Sequence, residues 1–486
     1  VVAVCLVAVG CSPSPPSVPK LSWSNCGERL ECASLPVPLD YSDPDGPTIS
    51  LALTRIRAAN PDRREGAIVV DPGGPGISGV DEIRSHPEQL STEVAERYDV
   101  VGWDRRGVGR SRPVDCRTPD EMGSYARALA AAQWSTAPDS PEVTAWAEQA
   151  RAFAEGCRTR SADFIAHIGT RDSARDLDSI RAALGEPVLN YVGWSHGTKL
   201  GAFYIDAYPQ RVGRMVLDSA IDPSLSLSDY NRAQSRALEA QLNRFIDYCA
   251  AGDDCPLPAD RADAIDALKR YLLGLPTDSA DPRVPTRADA MAALTNAMYN
   301  PPQSFPLLRK GLRGGFDGDG RALIDLGGLR EQTSHAAPAE PLTELHALNL
   351  SAMYAINCFD SPPTPGVEGT AQLAAQWNAD APIFGASNAW GGLRCSDFPA
   401  HDPVGPRPVR AAEVPPVIVV GAVRDGATPV EWSRALAGQL PSARLVIADT
   451  DVHSVYPHAN ACVRRIVDAY LLDGTAPEAI SDCPAD

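Results

Sequence analysis

At 486 residues the chain is long enough for two to four domains of roughly 100 to 200 residues each, and so for a large buried core. Its 62 acidic against 44 basic residues leave a net charge of −18, which excludes a long basic groove along a phosphate backbone and with it a nucleic-acid partner. A composition of 44% hydrophobic and 22% charged residues, with no apolar run of the about 18 residues that a membrane helix needs, excludes intrinsic disorder and a multi-span membrane protein.

Residues 1–9 are wholly apolar and lead into Gly10, Cys11 and the run Ser12-Pro13-Ser14-Pro15-Pro16, the pattern at the end of an export signal. With neither an initiator Met nor a basic leader, the sequence is expected to start inside that signal. Ala8-Val9-Gly10-Cys11 resembles a bacterial lipobox, in which the cysteine is acylated and becomes the mature N-terminus. Cys11 is therefore the candidate lipid anchor; a plain secretory signal cut near Pro16 is the alternative, and both predict export.

Setting aside Cys5 and Cys11 leaves ten cysteines, an even number as a disulfide framework requires. Joining sequence neighbours is the simplest pairing: Cys26 with Cys32, Cys116 with Cys157, Cys249 with Cys255, Cys358 with Cys395 and Cys462 with Cys483. None of these pairs has the two-residue spacing of a zinc knuckle, and an exported protein sits where disulfides persist, so no metal is expected.

After the Pro/Ser linker, residues 49–57 alternate apolar and polar side chains as a half-buried strand does, and the sheet is expected to begin there. Residues 66–70 and 98–103 are short apolar runs opening into glycine-rich stretches, the pattern of buried parallel strands ending in loops. Residues 172–184 read as an amphipathic helix stopped by Gly185. A strand at 188–192, a helix at 198–208 and a strand at 211–217 continue an alternation that predicts a doubly wound, mostly parallel α/β sheet. Over 222–408 the pattern changes to helices at 232–250, 259–273, 287–299, 342–358 and 370–378 with Pro-rich joints. Alternation resumes with strands at 417–421 and 444–448 and helices at 430–440 and 460–472. The expected organisation is a signal remnant and linker over 1–20, a first part of the α/β core over 21–221, a helical cap over 222–408 and the rest of the core over 409–486.

Gly193-Trp194-Ser195-His196-Gly197 fits G-x-S-x-G, a weak pattern alone, but it stands between a predicted strand and a predicted helix, the arrangement that lifts a serine hydroxyl above a sheet. Asp71-Pro72-Gly73-Gly74-Pro75-Gly76 follows another strand and offers N–H groups unobstructed by side chains, as a developing oxyanion needs. A serine at neutral pH needs a base oriented by a carboxylate, and in this arrangement both follow it in the chain. The histidines of the resumed α/β region reduce to His453 and His458. Asp425 and His453 each lie just past a strand, at the sheet edge where such sites form, whereas His458 lies nearer the last helix and reads as a surface or capping residue. His196, next to the serine, is expected to offer its backbone N–H to the oxyanion.

Those motifs, with Gly102-Trp103-Asp104-Arg105-Arg106-Gly107-Val108-Gly109-Arg110-Ser111, Asp425-Gly426-Ala427-Thr428-Pro429, His453 before Cys462, and Tyr470-Leu471-Leu472-Asp473-Gly474 before Cys483, resemble the tripeptidyl-aminopeptidase branch of the prolyl-aminopeptidase-like α/β-hydrolases, from about residue 23 to 483. The resemblance implies an α/β-hydrolase fold, mostly parallel with a large helical cap, and an exported serine exopeptidase without a cofactor. It implies Ser195, Asp425 and His453 as the triad, and the N–H groups of Gly74 and His196 as the oxyanion hole. The chain departs from the family pattern in having Asp71 for the more usual Asn, Ile77 for Gly, Trp194 and His196 around the serine, and Asp451-Val452 before His453. The expected substrate is a peptide with a free N-terminus, whose ammonium needs a carboxylate in a closed pocket; Asp222, Glu239 and Asp360 are the cap candidates. A carboxylesterase or lipase using the same triad is the rival reading, and a non-enzymatic envelope lipoprotein a weaker one.

Overall fold

Short apolar runs ending in glycine-rich loops build a sheet of ten strands: β1 (Ser24–Gly27), β2 (Leu30–Pro38), β3 (Thr48–Ile56), β4 (Gly66–Asp71), β5 (Tyr98–Trp103), β6 (Leu189–Trp194), β7 (Val212–Asp218), β8 (Val417–Ala422), β9 (Ala443–Ala448) and β10 (Ile480–Cys483). The computed structural model describes residues 20–135, 137–332, 343–411 and 413–486. The expectations for the export signal and Cys11 fall outside the described residues. The spatial order is β1-β2-β3-β5-β4-β6-β7-β8-β9-β10. From β5 through β4 to β10 every pairing is parallel, and β1, β2, β3 and β5 pair antiparallel. Every residue of β4, β5 and β8 is buried, as helices on both faces of a parallel sheet require.

The sheet starts earlier than periodicity predicts. Pro36 and Pro38 argue against a strand in β2, because proline cannot donate to a ladder. Yet β1 pairs only with the Leu30–Cys32 end of β2, so among the described residues the outer edge beside both prolines has no partner strand that would need their N–H groups. β10 was also hidden from periodicity: it is four residues, only Cys483 of them buried, laid beside β9 and tied by Cys483 to Cys462 at the start of the helix Ala461–Asp473.

Between β7 and β8 the described residues form no strand. The longest element there is the helix Leu227–Ala250, capped by the Ser226 hydroxyl on the Asp229 N–H. The helix Pro301–Phe316 escapes sequence reading because Pro306 lies inside it. Two helices before the predicted cap, Pro119–Ala132 and Pro141–Arg160, pack against it: Trp146 Nε1 donates to the Trp390 carbonyl at 2.9 Å, and Trp390 Nε1 to that of Ser135 at 2.8 Å. The cap therefore grows from two places in the chain.

All five neighbouring cysteine pairs are bonded. By restricting the unfolded chain each contributes about 2 to 4 kcal/mol. Cys116–Cys157 fixes the two additional helices and Cys358–Cys395 closes the cap.

Candidate active site

β6 ends at Trp194 and the helix His196–Ala207 begins two residues later, which leaves Ser195 alone at the turn with φ 54° and ψ −122°. A non-glycine residue there stores about 1 to 3 kcal/mol of backbone strain, held by the strand on one side and the helix on the other. The flanking glycines are required by contact: a Cβ on Gly193 would lie 2.7 Å from the Gly197 carbonyl oxygen, and one on Gly197 would lie 2.6 Å from that of Asp71. The Gly-rich loop after β4 presses against this elbow, since a Cβ on Gly73 would meet the Trp194 carbonyl at 2.5 Å and the His196 nitrogen at 2.9 Å. Gly73 and Gly74 have φ of 94° and 103°, conformations a side chain would oppose. Gly73 and the His196 nitrogen thus border the serine, a Cβ on Gly73 lying 3.2 Å from that of Ser195, and Gly74 follows in the same loop.

Two strands away, β8 delivers Asp425 and β9 delivers His453, and their side chains meet: His453 Nδ1 lies 2.8 Å from Asp425 Oδ2. Asp425 also accepts the N–H groups of Ala427 and Thr428 at 2.8 and 3.0 Å and the Thr428 hydroxyl at 2.8 Å. Burial pushes its carboxyl up, but the His453 imidazole and these donated bonds outweigh burial and hold it below the ordinary carboxylate range. A carboxylate so placed keeps the Nδ1 proton on His453 and leaves Nε2 free to accept one.

The elbow and the histidine loop are joined through the ends of β6 and β7. Trp194 Nε1 donates to the Tyr456 carbonyl at 3.0 Å, Asp218 accepts the Tyr456 N–H at 2.7 Å, and Ser219 Oγ accepts the Ser454 N–H at 2.8 Å. Ser195 N–H donates to the Asp218 carbonyl at 3.0 Å. Asp218 is wholly buried, which raises its carboxyl to about 6 against the lowering effect of the Tyr456 N–H. His458 is exposed, its Nε2 3.2 Å from the Glu88 carbonyl, and takes no part in this cluster.

The cap holds the acid and base loops from above. His453 N–H donates to the Tyr299 carbonyl at 2.9 Å, and the Tyr299 ring stands edge-on to the imidazole with centroids 5.3 Å apart. Gln241 donates to the carbonyls of Arg424 and Asp451, and Gln234 to that of Ala427 at 2.9 Å. Sequence reading missed Tyr299, Gln234, Gln241 and Asp218, because glutamines on a helix ordinarily read as a solvated face and nothing local marks a carbonyl acceptor.

The three cap acids differ. Asp222 accepts the Ser224 N–H and Gln439 Nε2 at 3.0 and 2.7 Å. Asp360 is paired with Lys199 Nζ at 3.1 Å and accepts the Thr170 N–H at 2.9 Å, pinning the cap to the nucleophile helix. Glu239 is 4% exposed; Oε2 accepts the N–H groups of Ile383 and Phe384 at 3.1 and 3.3 Å, and Oε1 is buried without a partner. Burial raises its carboxyl to about 7.

Among the described residues no three His, Cys, Asp or Glu side chains converge as a metal site, and no helix is long and apolar enough to cross a membrane. A strained serine against a Gly-rich loop, at the sheet edge that also carries an Asp–His pair, is an arrangement suited to nucleophilic acyl transfer.

A family model described as the alpha/beta hydrolase fold matches residues 66–458. The chain is 31% identical to the serine protease Hip1 of Mycobacterium tuberculosis, over 99% of this chain and 96% of that one. It is 32% identical to the tripeptidyl aminopeptidase of Streptomyces lividans, over 93% and 84%, and 34% identical to carboxylesterase B of Mycobacterium tuberculosis, over 98% and 92%.

Proposed function

The chain belongs to the α/β-hydrolase family, in its tripeptidyl-aminopeptidase-like branch, and we propose that this serine hydrolase is an exported exopeptidase releasing short N-terminal segments from peptides. The observation that carries the reading is the Asp425–His453 pair, 2.8 Å apart, at the sheet edge to which the elbow raises Ser195. Ser195 Oγ attacks the scissile carbonyl while His453 Nε2 takes its proton and then returns it to the leaving amine. Asp425 keeps the imidazole oriented, and the N–H groups of Gly74 and His196 stabilise the tetrahedral oxyanion. Water, activated by the same imidazole, then releases the acyl group. The disulfides suit an oxidising compartment, and acylation of Cys11 would anchor the exported protein at a membrane.

The cap, residues 222–408 with the helices Pro119–Ala132 and Pro141–Arg160 packed against them, closes the site and sets the length of the released segment. Within it Glu239 is the proposed acceptor for the substrate ammonium, because a buried carboxylate oxygen without a donor gains most from a cationic one. Glu239→Gln is expected to raise KM for a free-amine tripeptidyl amide about tenfold or more, and to raise it far less for a short-chain ester. Because burial holds this carboxyl up at about 7, it gains its charge as pH rises through that value. KM for the amide is therefore expected to fall across that interval while KM for the ester stays flat. Equal responses of the two substrates to the mutation and to pH would remove Glu239 from the site. A carboxylesterase using the same triad is the second reading, favoured by the relative named carboxylesterase B; its signature is ester turnover that exceeds amide turnover and ignores Glu239.

A further inference from the structure

Two positions at which the chain departs from the family pattern, Asp71 and His196, are bridged by one side chain, that of Arg105. Arg105 Nε donates to Asp71 Oδ2 at 2.8 Å and Nη2 donates to Asp71 Oδ1, a planar fork on a carboxylate. Its remaining arm, Nη1, lies 2.9 Å from His196 Nδ1. Asp71 is the last residue of β4, in register with Gly193 of β6, and its Oδ1 also accepts the Gly73 N–H at 2.9 Å. The three residues are 1%, 1% and 4% exposed.

We propose that Arg105 is a positioning residue for the oxyanion hole, holding the Gly73-Gly74 loop through Asp71 and the first turn of the nucleophile helix through His196. The inference rests on the reading of Gly74 and His196 as the oxyanion donors. Gly73 and Gly74 have no side chains with which to lock their own loop, so the lock comes from the neighbouring carboxylate. Asp71 alone would be a buried charge; Arg105 neutralises it and fixes the direction of both its oxygens. On the other side, burial and the adjacent guanidinium disfavour a charged imidazole at position 196. The neutral ring accepts the Arg105 proton donor at Nδ1 and carries its own hydrogen on Nε2, which gives the contact a single polarity. Hydrogen bonds from the Gly73 N–H to Asp71, from Arg105 to Asp71 and from Arg105 to His196 thus join the Gly-rich loop to the first turn of the nucleophile helix. Their separation must hold while charge grows on the substrate oxygen, and a displacement near 1 Å costs about 100-fold in rate.

The test uses the full-length enzyme, with kcat expressed per fluorophosphonate-titrated site so that misfolded protein does not count. Arg105→Met and His196→Leu are each expected to lower kcat about 10- to 100-fold, with KM within about threefold of wild type. His196→Asn, which returns an acceptor oxygen near the place of Nδ1, is expected to recover at least half of that loss on a logarithmic scale, even if Arg105→Met does not fold. Unchanged kcat per site with only a lower Tm would overturn the proposal, as would a rise in KM at constant kcat, which would make His196 a substrate contact. A wild-type protein that neither takes the fluorophosphonate nor turns over any acyl reporter would instead remove the hydrolase reading and the positioning role of Arg105 with it.

Discussion

Ser195→Ala is expected to lower kcat about 10⁵- to 10⁶-fold and to abolish fluorophosphonate labelling, with circular dichroism and Tm close to those of the wild type. The size follows from what the hydroxyl does. It is the attacking atom, and without it only the oxyanion donors and substrate binding remain to act on a direct attack by water. The fold should survive because the turn is imposed from outside position 195: Gly193 and Gly197 are in backbone contact, and the Ser195 N–H is bonded to the Asp218 carbonyl. Alanine keeps the same strained backbone. Labelling that persists in the variant would place the nucleophile elsewhere.

Removing the base should cost nearly as much. His453→Ala is expected to reduce kcat about 10⁴- to 10⁶-fold, and adding Asp425→Ala should cost little more, because an orienting carboxylate has nothing to orient once the imidazole is gone. His458→Ala should stay within about twofold of wild type: its ring is exposed, with Nε2 3.2 Å from the Glu88 carbonyl. Measured kcat on one reporter for the four proteins decides the assignment. A large loss in the His458 variant together with a mild one at His453 would reverse it.

Local signals carried much of the site into the sequence. The elbow is legible because two glycines flank a serine between an apolar run and a helix, and that spacing is what the backbone contact of Gly193 with Gly197 demands. Asp425 and His453 are legible because each follows a buried strand, and parallel strands all deliver their C-terminal ends to one edge. Short, polar or proline-bearing strands were not, since β1, β2 and β10 take their place from partners rather than from periodicity. The helices Pro119–Ala132 and Pro141–Arg160 lie outside the expected cap, and their role in it depends on tryptophan contacts across more than 200 positions in the chain. Arg105 and Asp71 stand in motifs that reveal glycines and turns, but a buried ion pair between residues 34 apart leaves no trace in either motif. Of the cap acids, sequence cannot separate Glu239 from Asp222 and Asp360, because what distinguishes it is the missing partner of one oxygen.

The proposed exopeptidase is tested most directly by cleavage of one tripeptidyl reporter amide in two forms, with a free and with an acetylated N-terminus, under identical conditions. Acetylation removes the cation that the buried Glu239 carboxylate is proposed to accept and leaves every other group in place. It is expected to lower kcat/KM about 10- to 100-fold, with the free-amine form cleaved only at its third peptide carbonyl. Equal kcat/KM for the two forms would contradict an N-terminal exopeptidase.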